Sequence, residues 1–390
     1  MSRRNKRIWK VTGILLVILL ILTGVLAYQK KSGQEEALQE TAGKPAKEKE
    51  ENSLKEQEED VKQETGSAGN DENAGENEPV SLVFTGDVLL SSYVQSNYDR
   101  AGITGVLEEG LLERLNRADI TIVNQEFPFS TRGVQAEDKQ FTFRVNPFYV
   151  SVLQDMGVDM VTIANNHVLD FGDEALLDTM DTLEEAGILY AGAGKDKRRA
   201  MELQVMEVHG KKVGLLAASR VIPVPSWNIE NHQPGVFCTY DPGLLLGEIE
   251  KAKEQCDYLC VYVHWGIERN TTPEDYQKSM ARQYIDAGAD AVIGSHPHVL
   301  QGIEFYQGKP IFYSLGNFVF NQDIASTMAV QLTIDDEGEN EITLIPATAA
   351  GAKTGLLEEE EISQFYQRME ELSFGVTIDE EGRVSEGRIP

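Results

Sequence analysis

Five times along the chain an apolar run ends abruptly on a polar or charged residue. "VSLVFTGDVLL" begins with alternating, then continuous apolar positions and closes at Gly86-Asp87, the pattern of a buried strand running into a loop. "ADITIVNQE" closes at Asn124 and Glu126, "VDMVTIANNH" at Asn165, Asn166 and His167, "DYLCVYVHWG" at His264, and "ADAVIGSHPH" at His296 and His298. Between them "EALLDTMDTLEEAG", "LLLGEIEKAKEQC" and "PEDYQKSMARQYIDAG" carry apolar positions at helical spacing, and several stop at a glycine, as helix C-caps commonly do. Strands alternating with helices predict an α/β fold whose ligands lie beyond the carboxyl ends of the strands. Five strands thus deliver Asp, Glu, Asn or His to one edge.

Later segments break the alternation. "LQVMEVHGKKVGLLAAS" and "IEFYQGKPIFYSLG" each read as two strands joined by a Gly-Lys turn, and "MAVQLTID" with "NEITLIPA" reads as another antiparallel pair. The architecture these patterns predict is two mixed sheets packed face to face with helices outside. "EEISQFYQRMEELS" is an amphipathic helix that packs as a cap.

The N-terminus reads differently. Arg3, Arg4, Lys6, Arg7 and Lys10 precede an uncharged, mostly apolar run from Val11 to Tyr28, just long enough to span a bilayer as a helix. The basic excess on its N-terminal side places residues 1–10 in the cytoplasm and the remainder outside. An uncleaved anchor at 11–28 is favoured over a cleaved signal peptide ending near Val25-Leu26-Ala27, because the run is long for a signal core. Residues 29–79 are polar and charged with almost nothing apolar, the composition of a disordered stalk. A globular domain over 80–350 and a helical and extended cap over 351–390 follow. The expected location is the cell membrane, single-pass, with the C-terminal domain extracellular.

A net charge of −29 disfavours binding to nucleic acid or to anionic lipid through a basic face. Three cysteines in 390 residues exclude a disulfide scaffold, and Cys256 and Cys260, at a helix-to-strand junction, read as buried thiols. No Walker-type loop and no Gly-x-Ser-x-Gly elbow is present, which removes the P-loop and the serine-hydrolase mechanism.

His296-x-His298 taken alone is weak evidence of a metal site. Asp87, Asn166 and His264 at equivalent strand ends strengthen it, and mixed oxygen and imidazole donors suit Mn, Fe or Zn better than a thiolate zinc site. A pair of divalent ions there would activate water and clamp a phosphoryl-type oxygen. His167 then serves as general acid, with Asp170 holding its tautomer; Asp170 reads equally well as the N-cap of the helix that follows. His209 and His232 lack strand-end partners and fall outside this set. The loop around Trp227 either lines a substrate groove or packs its own tryptophan.

In order and spacing, "GDVLL", "NQEFPFS", "ANNHVLDFG", "VHWGIE", "GSHPHVLQGIE" and "YSLGNFVF" resemble the CapA family of poly-γ-glutamate capsule synthesis proteins, which is similar to the calcineurin-like metallophosphoesterases. The resemblance covers about Val80 to Asn321 and implies a four-layer α/β/β/α sandwich. It further implies Asp87 and His298 on one metal, Glu126 as the bridging carboxylate, Asn166, His264 and His296 on a second, and His167 as the catalytic imidazole. Asn124, Asn165, Glu268, Glu304 and Asn317 are the candidate substrate contacts. One departure is plain: phosphoesterases usually begin with Asp-x-His, and here Leu89 stands two residues after Asp87. One or two divalent ions are therefore expected. Two functions follow: assembly, export or anchoring of poly-γ-glutamate alongside other membrane subunits, or metal-dependent hydrolysis at a surface polymer. A divalent cation bridging carboxylates would locally offset the repulsion between an acidic domain and an anionic polymer.

Overall fold

The computed structural model describes residues 78–320, 323–335 and 340–387, which belong to the compact unit Asn70–Pro390. The expected tail, membrane span and stalk lie outside the described residues apart from Glu78 and Pro79. Among the described residues no helix is long and apolar enough to cross a membrane.

The first apolar run becomes β1 (Val80–Val88), buried at all but one position because it lies inside a sheet. β1, β2 (Ile120–Gln125), β3 (Met160–Thr162) and β4 (Leu189–Ala191) are parallel neighbours in that order. Helices α1 (Ser92–Ala101) and α2 (Glu109–Asn116), then α3 (Val150–Asp155), then α4 (Gly172–Ala186) make the crossovers. After the two-residue β5 (Ala193–Gly194) and short α5 (Lys197–Ala200), β6 (Gln204–Val208) and β7 (Lys211–Ser219) form the predicted hairpin. β8 (Gly235–Val236) returns to pair with β5.

From β7 the chain runs through α6 (Gly243–Lys253) to β9 (Tyr258–His264), and through α7 (Asp275–Asp286) to β10 (Ala291–Ser295), with the three strands parallel. The hairpin of β11 (Ile303–Tyr306) and β12 (Lys309–Phe312) completes a six-stranded sheet ordered β11-β12-β10-β9-β7-β6. β13 (Asn317–Val319) and β14 (Ile324–Ile334) both pair with β1, and β15 (Asn340–Ala350) pairs with β14 as predicted. β16 (Lys353–Leu356), α8 (Glu359–Leu372), β17 (Val376–Ile378) and β18 (Arg383–Glu386) follow, their strands extending the ten-stranded sheet beyond β15. Both large sheets are mixed, as the hairpin patterns require.

Strand side chains alternate between faces, and here that sorts the core. Leu215 and Ala217 of β7 and Cys260 and Tyr262 of β9 pack with Leu82 and Phe84 of the larger sheet. Their neighbours Leu216, Ala218, Leu259 and Val261 pack instead with Leu245 and Ile249 of α6 and Met280 and Tyr284 of α7. The two sheets therefore face each other, and α6 and α7 cover the outer face of the smaller one. Tyr262 joins the sheets directly, its hydroxyl donating to Thr85 O at 2.8 Å. All three cysteines are buried and unpaired.

Candidate metal centre

Asp87 sits next to last in β1, and its N–H donates to Gly316 O at 2.8 Å. That close approach requires glycine before it, since a Cβ on Gly86 would lie 1.9 Å from the same oxygen. Asp87 Oδ1 accepts from Asn124 Nδ2 at 2.7 Å, and Oδ2 lies 3.2 Å from His298 Nδ1. Glu126 follows β2 and is tied to β1 through its N–H to Val88 O at 2.9 Å. Its Oε1 lies 3.5 Å from His264 Nε2 and its Oε2 3.8 Å from His298 Nδ1.

Both carboxylate oxygens of Glu126, and Nδ1 of His296, are buried with no hydrogen-bond partner among the described residues. Buried polar atoms are normally paired, so these orphans call for an electrophile. The donor atoms form two groups, Glu126 with His264 and His296, and Asp87 with Glu126 and His298, each within 4.8 Å of one another. Glu126 belongs to both, the place of a bridging ligand. Asn166 Oδ1, 2.9 Å from His264 Nε2, adds an oxygen beside the first of these groups. The residues fit divalent cations with oxygen and imidazole preference.

The loop after β10 explains how two histidines so close in sequence reach one edge. His296 and His298 have φ of 96° and 59°, the left-handed region that non-glycine residues seldom occupy and that marks functional loops. His264 is oriented from behind by Ser295, whose Oγ lies 3.0 Å from its Nδ1, a backing that leaves Nε2 for a ligand role.

The electrostatics agree with the geometry. Burial, then the neighbouring Asp87 carboxylate, push Glu126 well above the usual carboxylate range. Burial works against a charge on His298, yet Glu126 and Asp87 hold it up to about 10. Burial followed by the other imidazoles pulls His264 well down, and burial brings His296 to about 3. The buried Asp87 and Glu126 carboxylates thus draw positive charge into the centre, charge that His298 carries here and that a bound cation would supply, while His264 and His296 stay neutral as ligands must.

His167 stands at the mouth of the centre and lines a groove of about 530 Å³ with His298, Glu268, Arg269 and Asn317. Its Nδ1 is 2.7 Å from Asp170 Oδ2, which also accepts the Phe143 N–H at 2.7 Å. The N-cap of α4 is Phe171, with no side-chain cap bond; the Asp170 carboxylate faces His167, and its capping alternative is not what the fold uses. Lys139 was not legible in the sequence. Its ammonium contacts the Asp170 carboxylate and the Asn166 carbonyl, lies 3.0 Å from His167 Nδ1, and sits 5.1 Å over the Trp227 ring. Burial lowers its pKa, opposed by Asp170.

The remaining candidates divide. Asn317 Oδ1 lies 2.8 Å from His298 Nδ1, at the groove edge. Asn124 and Asn165 are fully buried and mutually bonded, Asn165 Nδ2 donating to Asn124 Oδ1 at 3.2 Å and its Oδ1 accepting from His167 N at 3.0 Å. They brace the ligands from behind. Glu304 is not brought to the site: it accepts from Arg282 and from the Tyr313 hydroxyl, each at 2.7 Å. His209 and His232 belong to neither donor group, and His232 pairs with Asp173 at 2.8 Å.

Fold and site together define an α/β protein of two mixed sheets with candidate metal-ligand groups at the carboxyl ends of its parallel strands. The chain belongs to the CapA family: the family described as "Bacterial capsule synthesis protein PGA_cap" matches residues 81–322. It is 32% identical over 73% of its length to "PGA biosynthesis protein CapA" of Bacillus subtilis (strain 168), covering 76% of that protein. It is 31% identical to "Capsule biosynthesis protein CapA" of Bacillus anthracis, over 70% of this chain and 68% of that one. A solved crystal structure of a hypothetical protein from Thermus thermophilus shares 17% identity at a TM-score of 0.43, over 69% of this chain and 99% of that chain.

Proposed function

We propose that the chain is a membrane-anchored, extracellular component of poly-γ-glutamate capsule synthesis, acting in assembly, export or anchoring of the polymer through a divalent-metal site on a metallophosphoesterase-like four-layer α/β/β/α sandwich. The observation that carries the metal part is Glu126, shared by both donor groups, with both carboxylate oxygens buried and without a hydrogen bond among the described residues. The polymer is suggested by the names of the two Bacillus relatives. The anchor rests on residues 11–28, and other membrane subunits of capsule synthesis are its natural partners.

A second reading, metal-dependent hydrolysis or transfer on a surface polymer or phosphate ester, is favoured by the His167–Asp170 pair facing the same groove. Divalent cations at such a site supply Lewis-acid polarisation of a substrate oxygen. The chain's own residues do the rest. Asp170 and Lys139 hold the Nδ1 side of His167, leaving Nε2 to pass a proton to a leaving atom in the groove.

Metal analysis of the full chain after loading with Mn, Fe or Zn tests the reading. Glu126→Gln should lose all bound metal and His298→Ala one site's share, while a screen of phosphodiester and γ-glutamyl amide substrates separates hydrolase from binding component. Wild-type protein without stoichiometric metal would overturn the metal-site function.

A further inference from the structure

Glu268 and Arg269 are consecutive, exposed and opposite in charge, and both line the groove that His167 and His298 share. Among the described residues no hydrogen bond or ion pair engages either side chain, not even with the other. They are nevertheless firmly placed. Arg269 sits at φ 62° and donates its N–H at 2.8 Å to the carbonyl of Pro297, the residue between the two ligand histidines. The turn into this segment is Gly266 at φ 95°, where a Cβ would meet Pro297 Cγ at 2.9 Å. A non-glycine residue in the left-handed region persists when its surroundings over-determine it. The backbone that carries the guanidinium and carboxylate is thus fixed beside the metal ligands, and among the described residues both groups are free to meet a ligand.

Phe141 and Phe143 line the same groove, apolar surface suited to hydrocarbon between a ligand's charged groups. One guanidinium neutralises one carboxylate, and Glu268, with Asp323 on the same groove, repels any further anion nearby. Applied to the polymer proposed above, on which this step rests, these charges discriminate between parts of a γ-linked glutamate chain. An interior unit offers a carboxylate and no cation, and the carboxyl end offers two carboxylates. The amino end alone carries an ammonium and a carboxylate on one carbon. We infer that the groove selects the amino-terminal unit of poly-γ-glutamate, Arg269 taking its α-carboxylate and Glu268 its α-ammonium, with the methylenes against Phe141 and Phe143.

Calorimetric titration of the full, Mn²⁺-loaded chain tests this with γ-linked triglutamate in free and N-acetylated forms. The free form should bind about tenfold more tightly, the worth of one charge-assisted pair. Glu268→Gln should remove that difference, and Arg269→Gln should weaken both forms about tenfold. Unfolding midpoints establish that both variants are folded. Equal affinity for the two forms, or a preference that survives Glu268→Gln, overturns end recognition and leaves polymer binding at the site standing. Binding of neither form overturns the polymer reading as well.

Discussion

Lys139→Met keeps most of the aliphatic stem and removes the ammonium, which makes it a clean test of how the His167 pocket is held. The Asp170 side chain is 0% exposed and that of Lys139 12%, so the pair is screened little by water. Removing one partner of a buried pair costs about 3–5 kcal/mol, because the other charge stays buried. Asp170 retains the Phe143 N–H and His167, both at 2.7 Å, and each bond to a charged acceptor offsets roughly 1.5–3 kcal/mol of stranded charge. Desolvation of Lys139, which lowers its pKa, already cancels part of its attraction. The expected loss therefore sits at the low end, about 3 kcal/mol. At about 2 °C per kcal/mol for a chain of this size, the unfolding midpoint should fall by about 6 °C. Thermal unfolding of Lys139→Met, Asp170→Asn and the double variant checks this, and the double should recover at least half of the loss. A single variant within about 0.5 kcal/mol of wild type, the range of an inert surface change, would refute the reasoning, as would strict additivity.

Gly86→Ala forces a Cβ to 1.9 Å from the Gly316 carbonyl; backbone must move, so a loss of about 3 kcal/mol is expected in a denaturant titration. Glu304→Gln removes a carboxylate bonded to Arg282 and Tyr313 and should cost about 1.5–3 kcal/mol without changing metal content; metal loss on elemental analysis would return Glu304 to the site. Burial raises the Cys256 thiol to about 11 and Cys238 to about 12. Because these folded values exceed the unfolded one, the stability they contribute is complete below about pH 9 and lost as pH rises through the folded values. Labelling by a thiol reagent at pH 8 should accordingly require unfolding; rapid labelling of the native chain contradicts it.

Much of the site was legible because parallel strands end where ligands bind, so apolar runs closing on Asp87, Glu126, Asn166, His264, His296 and His298 named their own edge. The family resemblance then implied how those residues divide between two metals, and the fold brings Glu126, His264 and His296 into one group and Asp87, Glu126 and His298 into another. Asn124 and Asn165 share that edge, but spacing cannot tell a side chain that touches a ligand from one that braces it. Glu304 illustrates the limit: it follows the histidine motif closely, yet strand alternation turns its carboxylate toward Arg282.

What the sequence by itself determined was the alternation of strand and helix, the three antiparallel hairpins, and the chemistry gathered at strand ends, because these depend on local periodicity. The tertiary structure alone decided that Lys139 arrives at His167 from a loop without any period, that Asp170 faces the imidazole and not the start of its helix, and that Glu268 and Arg269, unpaired among the described residues, follow a turn tied to Pro297. Those placements are contacts between segments far apart or differently turned, and no repeat along the chain encodes the direction in which a loop closes.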